Sequence, residues 1–328
     1  MPTHSIAGLN ALILGGSGFI GKHLCRALVD AGAHVRGFAN VLPTEDGVLQ
    51  EIGHSISWTI ADFADADAVR SAMEGIDVVF HLVSTTIPAT SNADLAADLT
   101  SNVLPTLNAL EAAQAAGVQR IVFVSSGGTV YGVPEQIPIP ETHPTRPICG
   151  YGIHKLTIEK YLHLYKELYG LEYRVLRLSN PYGIEQVANR PQGVIGNFIY
   201  KALHGNTLEI WGDGSVVRDY VYIEDVMDSF LSIVNHEGPS RTFNIGSGQG
   251  HSLLDISHVI EEAAGRTLDV TYGDARDVDV PVNILDVTLA RRELGWAPHT
   301  SLSDGVRELV RFFTKRSPEV LETFRSSL

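Results

Sequence analysis

The chain opens on Asn10-Ala-Leu-Ile-Leu-Gly-Gly-Ser-Gly-Phe-Ile-Gly21, and the reading of that stretch decides the fold. Ala11 to Leu14 is a short apolar run of the kind that forms a buried strand. Gly15, Gly18 and Gly21 follow at once, and Phe19 to Leu28 then shows helical spacing. Strand, tight turn and helix start in that order let backbone approach a pyrophosphate closely. The free N–H groups and the positive dipole end of the helix then meet its charge. The stretch therefore predicts a dinucleotide site rather than an ordinary glycine-containing surface turn.

Outward from it, the chain alternates apolar strands with helices, the pattern of a parallel sheet. A helix from Phe19 to Ala31 stops at Gly32, and His34 to Phe38 is a second strand. An acid closing that strand would hold the ribose of NAD. Here Ala39-Asn40 stands there instead, so Asn40 is the candidate ribose partner, and with no phosphate-binding arginine directly after it the cofactor expected is NAD. Ser57 to Phe63 reads as a strand ending in Asp62-Phe63, where the Asp62 carboxylate either accepts from the adenine amino group or is a solvated loop residue. Asp77 to Val83 reads as a fully apolar strand interrupted only by His81, a core histidine, with Leu82, Val83 and Ser84 at its ligand-facing edge. Leu95 to Ala116 is a long helix carrying Asn102. Arg120 to Val124 is a strand running into Ser125-Ser-Gly-Gly-Thr-Val-Tyr-Gly132, and the proline-rich stretch 134–147 is a loop at the mouth of the site.

Tyr151-Gly-Ile-His-Lys155 begins a helix that continues through Tyr169 and sets Tyr151 and Lys155 one turn apart on one face. An ammonium there favours the phenolate, which is what a tyrosine needs to act as a general base. His154 is expected to point elsewhere, to the surface. Tyr173 to Leu178 is a further strand. After it come a helix at 193–203, a strand Leu208 to Trp211 and a helix Leu253 to Ala264, within a smaller, interleaved lobe. The fold class expected is α/β: a doubly wound parallel (Rossmann) sheet over 1–180, with 216–243 returning to it. Segments 181–215 and 244–328 form the substrate lobe.

With 328 residues, 44% of them hydrophobic, the chain buries a large core. A net charge of −14 disfavours a nucleic-acid partner. Cys25 and Cys149 sit in no metal-ligand spacing, so no metal is expected and a reducing compartment fits. Met1 to Asn10 lacks a leader pattern, and no apolar run approaches the ~20 residues of a membrane span. The expectation is a soluble, cytoplasmic protein.

Taken together, Gly15-x-x-Gly18-x-x-Gly21, Tyr151-x-x-x-Lys155, Asn180-Pro-Tyr-Gly, Gly212-Asp-Gly, Arg218-Asp-Tyr-Val, Arg276-x-x-Asp279-Val-Pro and Arg292-Glu-Leu-Gly-Trp296 resemble the extended short-chain dehydrogenase/reductase family, in particular its nucleotide-sugar 4-epimerases. The resemblance covers nearly the whole chain. It implies NAD-dependent epimerisation of a UDP-hexose through a transient 4-keto sugar, with Tyr151 as base and Lys155 tuning it and holding the nicotinamide ribose. Cofactor contacts would come from Gly15, Gly18, Phe19, Ile20 and Gly21, from Asn40, Asp62 and Phe63, and from Leu82, Val83, Ser84, Asn102 and Ser125. Thr86, Asn180 and Asn197 would meet the sugar nucleotide, Arg218 and Arg276 its diphosphate, and Asp279 its ribose. A homodimer through the two long helices is implied as well.

Two departures stand out. The serine that assists the tyrosine in the familiar epimerases is replaced by Gly127, which leaves Ser126 or Thr129 to supply the hydroxyl. Asn283 falls where the epimerases carry a gatekeeping residue; being smaller than Tyr, it implies that UDP-N-acetylhexosamines fit as well as plain hexoses. Other chemistries within the family are reduction and dehydration, the latter disfavoured by Gly128-Thr129 where dehydratases carry Asp-Glu. A non-catalytic nucleotide-binding relative is the alternative of another class, and retention of both Tyr151 and Lys155 argues against it.

Overall fold

A computed structural model describes residues 6–44, 47–186, 193–274 and 280–315. In chain order the elements are β1 (Asn10–Leu14), α1 (Phe19–Asp30), β2 (His34–Ala39), β3 (Ile56–Ile60), α2 (Ala66–Ala72), β4 (Val78–His81), α3 (Leu95–Ala116), β5 (Arg120–Ser126), α4 (Gly150–Tyr169), β6 (Glu172–Leu178) and β7 (Asn180–Tyr182). There follow α5 (Val194–His204), β8 (Leu208–Trp211), β9 (Val217–Tyr222), α6 (Ile223–Val234), β10 (Thr242–Ile245), β11 (Gly250–Ser252), α7 (Leu253–Ala264), β12 (Val270–Gly273), β13 (Val282–Asn283), α8 (Thr288–Leu294) and α9 (Leu302–Lys315).

Seven parallel strands lie in the order β10-β6-β5-β4-β1-β2-β3, with the strand order reversing between β1 and β4. Alternation along β1 sends Ala11 and Ile13 into one apolar cluster with Leu24, Leu28 and Phe230 of α1 and α6. Leu12 and Leu14 enter another with Val103, Leu110 and Ile158 of α3 and α4. Both faces are therefore covered by helices, the doubly wound arrangement. In such sheets ligands bind beyond the carboxyl ends of the strands at the reversal.

Helix limits follow capping chemistry. The Asp94 side chain accepts from Ala97 N at 2.9 Å to start α3, and Gly117, with φ of 74°, ends it. Two strands stop earlier than their apolar sequence suggests, at Ile60 rather than Phe63 and at His81 rather than Val83. Beyond Ile60, Asp62 turns the chain by accepting from Ala64 N at 2.8 Å. His81 is a core residue, buried and hydrogen-bonded to Thr106 Oγ1 at 2.8 Å.

Past β6 the chain builds a small sheet in which β9 is flanked by β11 and β13 and also pairs with β7; β8 and β12 form a separate ribbon. Segment 216–243 divides between the layers: β9 lies in the small sheet, α6 packs on α1, and β10 takes the edge of the large one and runs on to Ile245. Among the described residues no helix is long and apolar enough to cross a membrane.

Candidate active site

The glycine turn is built from backbone. Gly15 and Gly16 donate their N–H groups to Phe38 O at 2.9 and 3.1 Å, and Gly18 N donates to Gly15 O at 3.1 Å. Gly15 has φ of +89°, and a Cβ there would stand 3.3 Å from Val83 N, so the end of β4 lies directly against the turn. A Cβ on Gly21 would fall 2.2 Å from Gly15 O, which is why the helix can start this close to β1. No side chain caps α1 at Gly18. The N–H groups of its first turn, from Phe19 to Gly21, suit a diphosphate, so the residues present fit a dinucleotide. At the rim, Asn40 and Asp62 are exposed, whereas the Phe63 ring packs in the core, 5.2 Å from the His81 ring.

The loop after β4 is anchored by α3. Asn102 Oδ1 accepts from Thr85 N at 2.9 Å, and its amide donates to Asp98 O at 2.9 Å. Thr86 Oγ1 donates to the buried Asp98 carboxylate. Asn102 and Thr86, expected at the cofactor and the sugar, thus direct their polar atoms chiefly to shaping this loop. Leu82 and Val83 are half-buried beside the glycine turn.

From the other side, α4 brings Tyr151 and Lys155 together. Lys155 is 1% exposed; its Nζ donates to Val124 O at 3.0 Å and lies 4.9 Å from the Phe123 ring centroid and 5.5 Å from that of Tyr151. Burial pulls the Lys155 ammonium down to about 7, against the pull of Glu159 and Asp98. Burial likewise pushes the Tyr151 phenol up to about 12, with the Ser84 side chain acting in the opposite direction. Ser126 is half-buried at the end of β5, and the Thr129 hydroxyl is buried with no hydrogen-bond partner among the described residues.

Ser125 Oγ donates to Glu159 Oε1 at 2.5 Å, and Glu159 is paired with the buried Arg177 at 2.6 Å. Its side chain therefore braces α4 against β5. His154 is a correction: it is 2% exposed rather than a surface residue. Its Nδ1 lies 2.9 Å from Asp98 Oδ2, its ring centroid 5.0 Å from that of Tyr151, and its buried Nε2 has no partner among the described residues. Burial holds its pKa below the ordinary histidine value, with Asp98 pulling the other way.

The small lobe closes the remaining side. Asn180 Nδ2 donates to Asp219 O at 2.8 Å, and Arg218 Nη1 to Val280 O at 2.6 Å. Asn197 lies half-buried on α5. Asn283 is 1% exposed and donates through Nδ2 to Gly127 O at 3.1 Å, while its buried Oδ1 has no partner among the described residues. Arg276 and Asp279 lie outside the described residues. Asp98, Glu159, Arg177 and Leu285 escape a reading of the sequence because each acts through a partner remote along the chain; only their apolar neighbours carry a periodic signal.

This geometry joins a backbone pyrophosphate cradle to a Tyr-Lys pair across the sheet's reversal point, and residues 11–246 match the NAD dependent epimerase/dehydratase family. The chain belongs to that family. A UDP-glucose 4-epimerase of Mycolicibacterium smegmatis is 33% identical over 315 residues, 94% of this chain and 100% of the relative. Among solved structures, the UDP-glucose 4-epimerase of Thermotoga maritima with UDP-glucose is 34% identical with a TM-score of 0.87, covering 94% of this chain and 99% of the other. The UDP-N-acetylglucosamine 4-epimerase of Methanobrevibacter ruminantium in complex with UDP-N-acetylmuramic acid is 26% identical with a TM-score of 0.87, covering 95% and 100%. The family assignment makes NAD the cofactor that fits the cradle.

Proposed function

We propose that the chain is an NAD-dependent UDP-sugar 4-epimerase that interconverts UDP-hexoses, and UDP-N-acetylhexosamines as well, through a transient 4-keto sugar. The observation that carries this reading is the Tyr151–Lys155 pair on α4, beside the end of β4 that abuts the glycine turn. Relatives with UDP-glucose and UDP-N-acetylglucosamine 4-epimerase names support the substrate class.

In this reading the Tyr151 phenolate takes the proton of the sugar C4 hydroxyl and later returns it. Lys155 stabilises the phenolate and holds the nicotinamide ribose. Accepting and returning the C4 hydride is the chemistry that NAD supplies when bound. The rest of the chain positions and encloses: Gly15 to Gly21 for the pyrophosphate, Arg218 with Arg276 for the UDP diphosphate, Asn180 and Asn197 for the sugar nucleotide. Asn283, which donates to Gly127 O, is the residue whose smaller bulk than Tyr admits a 2-acetamido group in this reading.

The reading extends to a cytoplasmic homodimer. α3 and α4 expose Leu95, Leu99, Leu104, Leu164 and Leu168, an apolar surface suited to a second copy of the same pair. The test of the central claim is Tyr151→Phe assayed with UDP-glucose and UDP-galactose. Turnover should fall ~10³-fold or more while bound NAD is retained. Turnover within about tenfold of the unmodified protein would remove Tyr151 as the base.

A further inference from the structure

Glu185 follows Asn180-Pro-Tyr-Gly183 on the path from β7 to α5, and among the described residues it is the one non-glycine residue with a positive φ, 63°. A residue with a side chain keeps that left-handed conformation only where its surroundings over-determine it. Here the surroundings are α1 and a short turn packed on it. The buried Glu185 side chain accepts through Oε1 from Val48 N at 2.7 Å, and its Oε2 lies 3.8 Å from Lys22 Nζ on α1. One residue earlier, His23 of α1 donates through Nε2 to Ile184 O at 3.0 Å. Val48 belongs to the turn Gly47–Leu49 after β2, and Leu49 is buried in one cluster with Leu24 and Leu28 of α1. The next residue, Gln186, meets the small lobe. Its Nε2 donates to Pro181 O at 3.1 Å, and a Cβ on Gly193 would fall 2.8 Å from its Cδ, one on Gly196 3.5 Å from its carbonyl oxygen. Gly193 caps α5 and Gly196 lies in its first turn, beside Asn197. Three consecutive residues thus join the helix that leaves the glycine turn to the helix that carries Asn197.

We propose that Glu185 is a positioning residue for the UDP-sugar: its carboxylate clasps the segment before α5 to α1 and to the 47–49 turn, so that the helix meeting the NAD pyrophosphate also sets the sugar-nucleotide side. The inference rests on the UDP-sugar reading of that side. Glycine would take the backbone of position 185 without strain, but it would offer no acceptor to Val48 and no charge to Lys22. The strained φ therefore marks a side chain kept for its contacts. Glu185 acts through α5 and α1, and the Tyr151–Lys155 pair on α4 is left as it is. Coupling of this kind is reciprocal: a clasp through which bound NAD favours UDP also makes bound UDP favour NAD.

The test compares Glu185→Gly, Glu185→Ala and Glu185→Gln in the NAD-loaded protein. The readouts are Tm, kcat and KM for UDP-glucose, and the rate at which NAD leaves with and without saturating UDP. Stability should follow the backbone: Glu185→Gly relieves the strain and Glu185→Ala does not, so the Gly variant should melt a few degrees above the Ala variant. Function should follow the carboxylate. In both variants KM should rise ~10-fold with kcat within about twofold of the unmodified protein. UDP should slow NAD release ~10-fold in the unmodified protein and leave it unchanged in these two. Glu185→Gln keeps an oxygen for Val48 N and should retain most of both properties. A KM and a UDP effect unmoved in the Gly and Ala variants overturn the proposal, as does UDP failing to slow NAD release from the unmodified protein. Losses confined to the Ala variant, in step with its lower Tm, overturn it too, since the side chain would then serve stability alone. Should the protein turn over no UDP-sugar, the epimerase reading fails, and the effect of UDP on NAD release still decides whether Glu185 couples the two sides.

Discussion

The two ends of the site are made of different material. Around Gly15 to Gly21 the ligand is met by main chain, with no side chain capping α1 and no room for one at Gly21. Around Tyr151 the site is made of side chains, each held by a partner from the folded chain: Lys155 by the Val124 carbonyl of β5, His154 by Asp98 of α3, Ser84 by the Thr86 carbonyl of its own loop. A backbone site is fixed by spacing and breaks when a methyl group is added. A side-chain site is fixed by partners and changes by degrees.

The largest effect should come from adding that methyl group. Gly21→Ala drives a carbon into Gly15 O and Gly16 Cα, both backbone, so relief means moving α1 off the turn. The expected result exceeds the ~1–3 kcal/mol of ordinary overpacking and includes loss of NAD retention. Nucleotide released on denaturing the purified variant would measure it, and a normal NAD content would mean that the cradle tolerates side chains after all.

Acid should act next, and it touches both ends. His23 stands behind the glycine turn, 3.0 Å from Ile184 O, and burial pulls its pKa from 6.5 down to about 4. His154, behind Tyr151, is displaced in the same direction. A buried histidine with a lowered folded-state pKa contributes stability that is fully present above the unfolded value and is lost as pH falls toward the folded one. For His23 the window runs from 6.5 to about 4 and is worth on the order of 3 kcal/mol. Urea unfolding followed across that window should show a steeper loss for the unmodified protein than for His23→Gln. Parallel pH dependences would clear His23 of the role.

The smallest effect is one of selectivity. Asn283→Tyr should lower kcat/KM for UDP-N-acetylglucosamine more than for UDP-glucose, by ~1–3 kcal/mol in the difference, because added bulk falls beside the 2-substituent. Equal losses on the two sugars would move the gate elsewhere in the lobe.

The same contrast explains what was legible. α3 and α7 could be bounded from sequence because Asp94 and Gly117, or Ser252 and Gly265, announce their ends. β3 and β4 read too long because Phe63, Leu82 and Val83 are apolar for burial and packing, although none of them pairs in a strand. The Tyr151–Lys155 face is local, one turn of helix, and so could be seen. His154 could not be placed, since its partner Asp98 is 56 residues away on another helix.

Helices α3 and α4 are two-sided: Asp98, Asn102, His154 and Lys155 are buried inward, while Leu95, Leu99, Leu164 and Leu168 lie outward. The framework of the base and the apolar outer surface are thus only a helix width apart, about 10 Å. In the proposed homodimer a second copy on the outer leucines would also stiffen the scaffold behind the phenol; turnover per chain measured across protein concentrations should then fall on dilution, with dilution acting as a dimmer on the reaction.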